Sequence, residues 1–412
     1  MLQEKTLAPH EWNQIQHLIP GAEPILHPSD HPEGVRAIIP VSEPSLKGNE
    51  LRYVTECVES NWISSAGPFV KRFEEQFAAA AGCEFGVSCC SGTTALHLAL
   101  AALGIGPGDE VLLPTFTMVA TASAVHYVGA TAVLIDAEPE TWNLDVAQME
   151  AKITPRTKAI IVVHTYGHPA EMNAIMAIAR RHRLYVVEDA AEAHGAEYQG
   201  RPVGSLGDVA CFSFYANKII TTGEGGMVTS NNREIAATAR RLRDHAFSDE
   251  RHFWHEYRGF SYRMTSLQAA VGLAQTERLC ELVGQRRNNA ALYRECLRGV
   301  PGLSLPQERP GVKNVFWMYG LMIEDDFGCS RDDLRHLLAG DGIETRTFFV
   351  PIHLQPVHFT HYDANLYPVA DALCQKGMYL PSSSALTEAE IRYVANAVTA
   401  ASAANAANGR RA

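Results

Sequence analysis

Short apolar runs alternate with amphipathic stretches along the chain from about residue 49 onward. The runs are continuous rather than alternately polar, which is typical of strands that are buried on both faces of a sheet. We therefore predict strands at FGVSCC (85–90), EVLLP (110–114), TAVLIDA (131–137), AIIVVH (159–164), LYVVEDA (184–190), DVACFSF (208–214) and GGMVTS (225–230).

Helix patterns lie between several of these strands, at residues 94–103, 118–128 and 171–183. A strand, a helix and a second strand in succession imply parallel pairing, with helices that cover the sheet. The pattern therefore predicts an α/β fold with a mostly parallel sheet flanked by helices.

A chain of 412 residues is long enough for a second, smaller domain. A helical stretch at 266–296 leads toward it, and the run VFWMYGLMI, a helix near 331–338 and a last helix after Thr387 belong to it. The first residues are rich in proline, histidine and acidic groups without periodicity, so we expect an extension that wraps the surface or a partner subunit. The predicted division is an N-terminal extension, a large domain, a small domain and a mobile tail, at 1–38, 39–278, 279–398 and 399–412.

The composition narrows the class of protein. A hydrophobic fraction of 46% and a net charge of −11 suit a globular enzyme and argue against a nucleic-acid groove, although a local cationic pocket could still bind a small anion. The 9 cysteines form no CxxC pair, which argues against a disulfide framework or a zinc cluster. Because no signal peptide and no run of ~20 apolar residues is found, we expect a cytoplasmic protein that does not bind membranes.

Candidate ligand-binding residues follow the predicted strands, because ligands of open α/β sheets bind at the carboxyl ends of the strands. After FGVSCC, the segment Ser91-Gly92-Thr93-Thr94 opens a helix. Gly92 allows close backbone approach, and free amides and hydroxyls of a first helical turn can bind an anion. The alternative is a plain helix cap by Ser91 or Thr93.

Two carboxylates, Glu188 and Asp189, end the strand in LYVVEDA. Buried carboxylates are costly unless a cation meets them. The protonated ring nitrogen of a bound cofactor could be that cation for Asp189. The alternative, which is plausible for Glu188, is a salt bridge to an arginine such as Arg183.

Lys218 lies among apolar residues after the strand that ends near Ser213. Desolvation favours the neutral, nucleophilic amine that a Schiff-base lysine requires, although such a lysine can also be a surface group with a buried stem. Ser213 could add a hydroxyl to the same anion site. Together these residues could bind an aldehyde, an aromatic nitrogen and a phosphate. All three groups are present in pyridoxal 5′-phosphate.

The strings SGTTALHLAL, EDAAEAHGA, SLGDVACFSFYANKIITTGEGG and GFSYRM resemble the DegT/DnrJ/EryC1/StrS family of pyridoxal-phosphate sugar aminotransferases. The similarity extends from about Ile39 to Val398. It implies an aspartate-aminotransferase-like fold, with a mostly parallel seven-stranded sheet in a large cofactor-binding domain and a smaller α/β C-terminal domain. It also implies a homodimer with shared active sites.

The resemblance assigns roles to individual positions. Lys218 matches the family's catalytic lysine, which carries the cofactor as an internal aldimine, and Asp189 matches the partner of the pyridine nitrogen. Glu192 falls beside the cofactor's phenolic oxygen. The phosphate contacts match Gly92, Thr93, the backbone of Thr94, and Ser213. The substrate contacts match Ser64, in the segment WISS, and His353, for which a core histidine is the alternative.

Two cofactor-binding positions depart from the family pattern. Met118 stands where an aromatic residue usually stacks on the pyridine ring, and a thioether can also contact a π-face. Ser261 stands where an asparagine usually reaches the phosphate from the other subunit, and serine is shorter.

The implied reaction moves the amino group of glutamate to C4 of a nucleotide-linked 4-keto-6-deoxy sugar, with pyridoxamine phosphate formed between the two halves. The segments NKIITTGEGGM, PTFTMVAT and TWNLD are most similar to the branch that forms GDP-perosamine from GDP-4-keto-6-deoxymannose. A UDP- or dTDP-linked keto sugar is the alternative substrate. A sugar dehydratase is a second alternative, although related dehydratases carry histidine at the position of Lys218, and a non-catalytic ligand-binding regulator is a third.

The remaining charged clusters give weaker signals. The pairs His252/His255 and His358/His361 have helical spacing, but neither has an evident third ligand, so we predict no metal site. The arginines at 240, 241 and 243 fit a solvated helix face, with contact to a nucleotide diphosphate as the alternative.

Overall fold

The structure is a computed structural model that describes residues 7–29, 31–248, 250–251 and 253–409, with side chains described to residue 403. The start of the predicted extension, the end of the predicted tail and His252 therefore lie outside the described residues.

The helices and strands of the described residues follow the predicted alternation. The α-helices are α1 (Pro9–Ile15), α2 (Glu50–Glu59), α3 (Pro68–Ala80), α4 (Gly92–Ala102), α5 (Val119–Tyr127), α6 (Met172–His182), α7 (Arg233–Arg243), α8 (Ser266–Glu277), α9 (Leu279–Leu297), α10 (Arg331–Gly340), α11 (Pro368–Lys376) and α12 (Glu388–Gly409). The strands are β1 (Phe85–Cys89), β2 (Glu110–Pro114), β3 (Thr131–Ile135), β4 (Thr157–Val163), β5 (Tyr185–Asp189), β6 (Glu197–Tyr198), β7 (Arg201–Pro202), β8 (Val209–Ser213), β9 (Gly226–Ser230), β10 (Leu303–Ser304), β11 (Val312–Lys313), β12 (Tyr319–Ile323), β13 (Arg346–Thr347) and β14 (Gly377–Leu380).

A seven-stranded sheet of order β1-β9-β8-β5-β4-β2-β3 forms the centre of the large domain, which confirms the predicted fold class. The pairs β2–β3, β2–β4, β4–β5 and β5–β8 are parallel, and β9 runs antiparallel to both of its neighbours. Side chains of β4 alternate between two separate cores, with Ile160 and Val162 in one and Ile161 in the other. The strands are therefore buried on both faces, as their continuous apolar runs predict.

The C-terminal part contains a smaller antiparallel sheet of order β10-β12-β14-β13. The helical stretch predicted at 266–296 is divided into α8 and α9 at Arg278, whose φ of −107° and ψ of 5° are not helical. The last helix, α12, continues through residues 399–409, which the sequence assigned to the tail. None of the helices in the described part of the chain has both the length and the apolar character that a membrane span needs.

The N-terminal extension contains a short helix, α1, at Pro9–Ile15, which no periodic pattern in the sequence indicated. Proline occupies the first turn of this helix, where its missing N–H costs nothing. The side chain of Glu11 caps the same turn by accepting a hydrogen bond from the backbone N–H of Ala8 at 2.6 Å.

Two of the three clustered arginines are structural, and neither interpretation from the sequence describes them fully. Arg240 and Arg243 donate to the carboxylate of Glu74, which is 4% exposed and also accepts from the backbone N–H and the hydroxyl of Ser88. Burial alone would raise the pKa of Glu74, but the guanidinium groups of Arg243 and Arg240 hold it below its ordinary value. This ion cluster joins α3, β1 and α7.

Replacement of Glu74 by glutamine is expected to lower the free energy of unfolding at pH 7 by about 3–5 kcal/mol, since it breaks a buried ion cluster. A carboxylate with a lowered pKa stabilises the fold above the unfolded pKa of about 4.3, and this contribution is lost as the pH falls through the folded pKa. The difference between wild type and variant should therefore narrow below about pH 4. This difference in the free energy of unfolding is measured by urea unfolding at fixed protein concentration over a series of pH values.

The matched control is Glu75→Gln, because Glu75 is the neighbouring carboxylate and its ion pair with Lys71 is exposed. Its expected effect is within about 0.5 kcal/mol. Equal losses in the two variants, or a difference that grows in acid, would contradict the structural role of Glu74.

Candidate active site

A cavity of about 350 Å³ lies at the carboxyl edge of the large sheet. Residues at or just after the ends of β1, β2, β4, β5 and β8 line it, which is where open α/β sheets bind ligands. The lining residues are Ser91, Gly92, Thr93, Leu96, Thr117, Met118, Ala120, Val163, Asp189, Ala191, Glu192, Ser213, Tyr215, Asn217, Lys218, Glu224, Trp317, Phe349 and Tyr379.

Most of the residues that the sequence predicts for the cofactor meet in this cavity. They come from five separate segments of the chain, at Gly92 and Thr93, Met118, Asp189 and Glu192, Ser213, and Lys218. Met118 is half-exposed at 51% and lies at the start of α5, so a thioether faces the cavity where an aromatic ring is usual in the family.

Lys218 is held in a tight turn after β8. Its backbone N–H donates to the carbonyl of Tyr215 at 2.9 Å, and the carbonyl of the preceding Asn217 accepts from the indole N–H of Trp317 at 2.8 Å. The Lys218 Nζ lies 4.0 Å from Glu192 Oε1 and 3.7 Å from the centroid of the Trp317 ring. Burial lowers the pKa of Lys218, although the carboxylates of Glu192 and Asp189 oppose this shift. The site therefore favours a neutral, nucleophilic amine, and the surface-lysine alternative is not what the structure has.

Asp189 ends β5 and is buried, with 6% of its surface exposed. The hydroxyl of Thr121 donates to Asp189 Oδ2 at 2.8 Å, and the backbone N–H of Ala191 donates to Oδ1 at 3.3 Å. Burial raises the pKa of Asp189, and these donors together with Lys218 only partly offset it. A cation bound in the cavity would compensate this carboxylate.

The neighbouring Glu188 points away from the cavity and has a structural role. It accepts hydrogen bonds from His164 Nε2 at 3.1 Å and from the backbone N–H groups of Gly204, Leu206 and Gly207. These bonds hold the pKa of Glu188 below its ordinary value despite its burial. The salt bridge to Arg183 considered from the sequence is therefore replaced by His164, while the side chain of Arg183 is exposed.

Glu192 is tied to a strained residue. The backbone N–H of Tyr166 donates to Glu192 Oε2 at 2.7 Å, and Tyr166 has a positive φ of 51°. Such a conformation is unfavourable for an aromatic residue and is found mostly where the surrounding structure enforces it at functional sites. Burial raises the pKa of Glu192, which Lys218 and this N–H oppose. A strained backbone thus fixes a carboxyl group beside the lysine.

The start of α4 is both a helix cap and a wall of the cavity. Ser91 Oγ accepts from the backbone N–H of Thr94 at 3.1 Å, so the cap considered from the sequence is present at Ser91. The amides of Gly92 and Thr93 have no acceptor within the helix, as at any helix start. A Cβ on Gly92 would lie 2.7 Å from the Cβ of Ser213, so glycine is what allows β8 to approach here.

Four predicted site residues do not line the cavity of this chain. The N–H of Thr94 is used by Ser91. Ser64 and Ser261 are exposed, and Ser261 Oγ accepts from Arg263. His353 is buried between the hydroxyl of Thr115 at 2.7 Å and Asp371 Oδ1 at 3.0 Å, as the core-histidine alternative requires. Their cofactor and substrate roles stay predictions.

The sequence did not predict the aromatic wall of the cavity. Trp317, Phe349 and Tyr379 come from the small domain and line the cavity opposite the sheet. Tyr166 stacks against Phe349 at 5.2 Å and contacts the other two rings. The sequence offered no local signal for this wall. Trp317 and Tyr379 lie in apolar runs that resemble core strands, and the positive φ of Tyr166 is visible only in the structure.

Within the described residues, no three His, Cys, Asp or Glu side chains converge as metal ligands do. His358 instead stacks on His126, with Nδ1 3.2 Å from His126 Nε2. The pair that contains His252 lies partly outside the described residues.

The cavity combines a buried lysine, a buried carboxylate and the start of a helix. This combination is typical of sites that bind a pyridine ring with an aldehyde and a phosphate group. The residues fit that group, since a bound cation would stabilise the buried carboxylate of Asp189 and burial lowers the pKa of the Lys218 amine. Residues 44–399 match the DegT/DnrJ/EryC1/StrS aminotransferase family. The chain therefore belongs to this family, and membership implies pyridoxal phosphate as cofactor, an amino donor and a keto sugar nucleotide.

Individual relatives agree with this assignment. The chain is 47% identical over 354 residues to the GDP-perosamine synthase of Caulobacter vibrioides, covering 86% of this chain and 95% of that protein. It is 40% identical over 360 residues to the GDP-perosamine synthase of Escherichia coli O157:H7, covering 87% and 97%. The crystal structure of DesV from S. venezuelae, in complex with a ketimine intermediate, is similar with a TM-score of 0.81 and 37% identity, covering 86% of this chain and 94% of DesV.

Proposed function

We propose that the protein is a pyridoxal-phosphate-dependent aminotransferase that moves the amino group of glutamate to C4 of GDP-4-keto-6-deoxymannose, which gives GDP-perosamine. The observation that carries the proposal is the buried Lys218 amine, which lines the same cavity as the carboxylate of Asp189. The choice of sugar is supported by two GDP-perosamine synthases at 47% and 40% identity.

Each of the cavity residues would bind a different part of the cofactor. Lys218 would hold it covalently through Nζ, and Asp189 would pair with its ring nitrogen. Glu192 would face its phenolic oxygen, and Met118 would contact the ring. The phosphate would be bound by the hydroxyl of Ser213 and the first-turn groups of Gly92 and Thr93, where the helix dipole favours an anion. All the residues in this assignment line the cavity.

When bound, the cofactor supplies an electron sink that stabilises negative charge on the carbon that loses its proton. Lys218 would remove and return that proton, and the lowering of its pKa by burial favours the unprotonated Nζ that this role requires. Asp189 would carry a negative charge beside the ring nitrogen, since a cation there would lower the free energy of the buried carboxylate. The aromatic wall of Trp317, Phe349 and Tyr379 limits the access of water to the reacting atoms.

We infer that the active form is a homodimer, because Ser64 and Ser261 are exposed in a single chain while the resemblance gives both of them roles in an active site. Large apolar side chains are exposed close to these residues in sequence. Trp62 is 52% exposed, Phe253 75% and Trp254 54%. A partner subunit that covers them would complete the site with its own Ser261.

A product assay tests the substrate. Purified holoprotein with glutamate is offered GDP-, UDP- and dTDP-linked 4-keto-6-deoxy sugars, and the amino sugars are identified by mass spectrometry and NMR. We expect the GDP-linked substrate to be converted with a kcat/KM at least about tenfold above the others, since pocket contacts to one base discriminate by a few kcal/mol.

The other outcomes of this assay separate the alternatives. Preference for a UDP- or dTDP-linked sugar would support the aminotransferase activity but contradict the proposed GDP-linked substrate. A deoxygenated product without nitrogen would indicate a dehydratase. Absence of any reaction, including no spectral change on addition of glutamate alone, would indicate a ligand-binding protein without catalysis.

A further inference from the structure

The N-terminal part of the chain runs over the small domain and packs against a loop that contributes to the wall of the active-site cavity. We call residues 7–29 the N-terminal strap and residues 348–359 the rim loop. The strap precedes the family match, which begins at residue 44, so it does not belong to the part of the chain that the family match covers. Phe349 of the rim loop lines the cavity.

An apolar cluster joins the strap to the rim loop. Ile15 and Leu18 of the strap are 0% and 4% exposed, and they pack with Leu354 and Phe359 of the rim loop. Val350, the residue after Phe349, packs against the same cluster. The strap and the residue next to the cavity-wall residue Phe349 therefore pack in one apolar cluster.

The other side of the rim loop is held by the large domain. The backbone N–H of Phe349 donates to the hydroxyl of Tyr166 at 3.3 Å, and that of Ile352 donates to the carbonyl of Thr115 at 2.8 Å. His353 bonds the hydroxyl of the same Thr115. The loop is thus clamped between the large domain on one side and the strap on the other.

The strap is itself anchored along the small domain. The backbone N–H of Gly21 donates to Asp332 Oδ2 at 3.0 Å, and Glu23 forms an ion pair with Arg335, whose side chain is 1% exposed. Farther along, the N–H of His27 donates to the carbonyl of Ala339 at 3.1 Å. These contacts fix the path of the strap over α10 and keep Ile15 and Leu18 in place.

We propose that the N-terminal strap positions the rim loop for the sugar nucleotide, with Ile15 and Leu18 as its positioning residues. This rests on the proposed function. A sugar nucleotide is larger than glutamate and has to extend past the aromatic wall that includes Phe349, whereas glutamate needs only the end of the cavity beside Lys218. Loss of the apolar contact frees the rim loop, which weakens sugar-nucleotide binding and leaves the glutamate reaction intact.

The first test is independent of any substrate. Hydrogen–deuterium exchange is measured on the holoprotein for wild type, for the double variant Ile15→Ala/Leu18→Ala and for the control Ile25→Ala, whose side chain lies on the strap but is 77% exposed. In the double variant, peptides that contain Phe349 and Ile352 should exchange at least about tenfold faster, because large-to-small changes in a buried cluster remove its packing. Peptides of β4 should not change, nor should the rim loop in Ile25→Ala.

The second test separates the two substrates. In the double variant the KM for the sugar nucleotide should rise about three- to tenfold while kcat stays within about twofold, since only ground-state binding is weakened. The glutamate half-reaction, followed by the cofactor absorbance without sugar, should keep its rate within about twofold. If the double variant does not fold, Ile15→Val gives the same comparison at smaller amplitude.

The outcomes distinguish this proposal from the proposed function. Unchanged exchange in the rim loop, or an equal loss in both half-reactions, would overturn the positioning role of the strap. If wild type converts no sugar nucleotide at all, the proposed function fails, and the exchange comparison still decides whether the strap holds the rim loop.

Discussion

Replacement of Lys218 by alanine is expected to lower the turnover of glutamate and sugar nucleotide by at least about 10⁴-fold, because one amine serves as covalent anchor, nucleophile and general base. The structure supports this concentration of roles, since Lys218 Nζ is buried within 4.0 Å of Glu192 Oε1 in the same cavity as Asp189. Turnover is measured with the holoenzyme, and borohydride trapping followed by peptide mapping locates the cofactor in wild type.

The matched control for this change is Lys71→Ala, because the side chain of Lys71 is 82% exposed and forms an exposed ion pair with Glu75. It should retain wild-type turnover and wild-type cofactor attachment. Normal turnover of the Lys218 variant, or a trapped cofactor on another peptide of wild type, would remove the basis of the proposed mechanism.

Replacement of Asp189 by asparagine is expected to slow the glutamate half-reaction by about 10²- to 10³-fold, which corresponds to ~3–4 kcal/mol. Losses of this size are typical when a buried charge pair is broken. The amide keeps the shape of the side chain and its contact with Thr121, but it cannot carry the negative charge that keeps a ring nitrogen protonated. Stopped-flow absorbance after addition of glutamate measures the rate. Cofactor binding should largely persist, because the other contacts are unchanged.

The control for Asp189→Asn is the same isosteric change at Asp109, which precedes β2 at the opposite edge of the sheet and accepts from the backbone N–H of Gly106. It should leave the half-reaction within about twofold. An unchanged rate in the Asp189 variant would discard the role of this carboxylate, and complete loss of the cofactor would show that it acts in binding rather than in rate.

Local patterns determined the parts of the site that lie on the sheet. The apolar runs place the strands within a residue or two of β1, β2, β3, β4, β5, β8 and β9, because burial on both faces is visible in each run by itself. Since ligands bind at the carboxyl ends of such strands, the sequence alone predicts that Asp189, Ser213 and Lys218 lie near one another. The structure places all three at one cavity.

The local sequence pattern did not predict which charged residues from distant segments pair with each other. Glu188 could meet any nearby cation, and the sequence offered Arg183, but the fold brings His164 and the loop at 204–207 to it. Arg240 and Arg243 have the spacing of a solvated helix face, yet they neutralise Glu74, which is 166 residues from Arg240 along the chain. Such choices depend on which side chains the packing of helices on the sheet brings within hydrogen-bond distance.

The sequence by itself determined the α/β class, the order of the strands along the chain, and the lysine and aspartate on which the proposed mechanism depends. Only the tertiary structure decided that Trp317, Phe349 and Tyr379 wall the cavity, that His353 is held between Thr115 and Asp371, and that the N-terminal strap packs in one cluster with the rim loop. The physical reason is that the spacing of hydrophobic residues is a property of each segment by itself. These contacts, in contrast, join segments that meet only after the two domains have packed together.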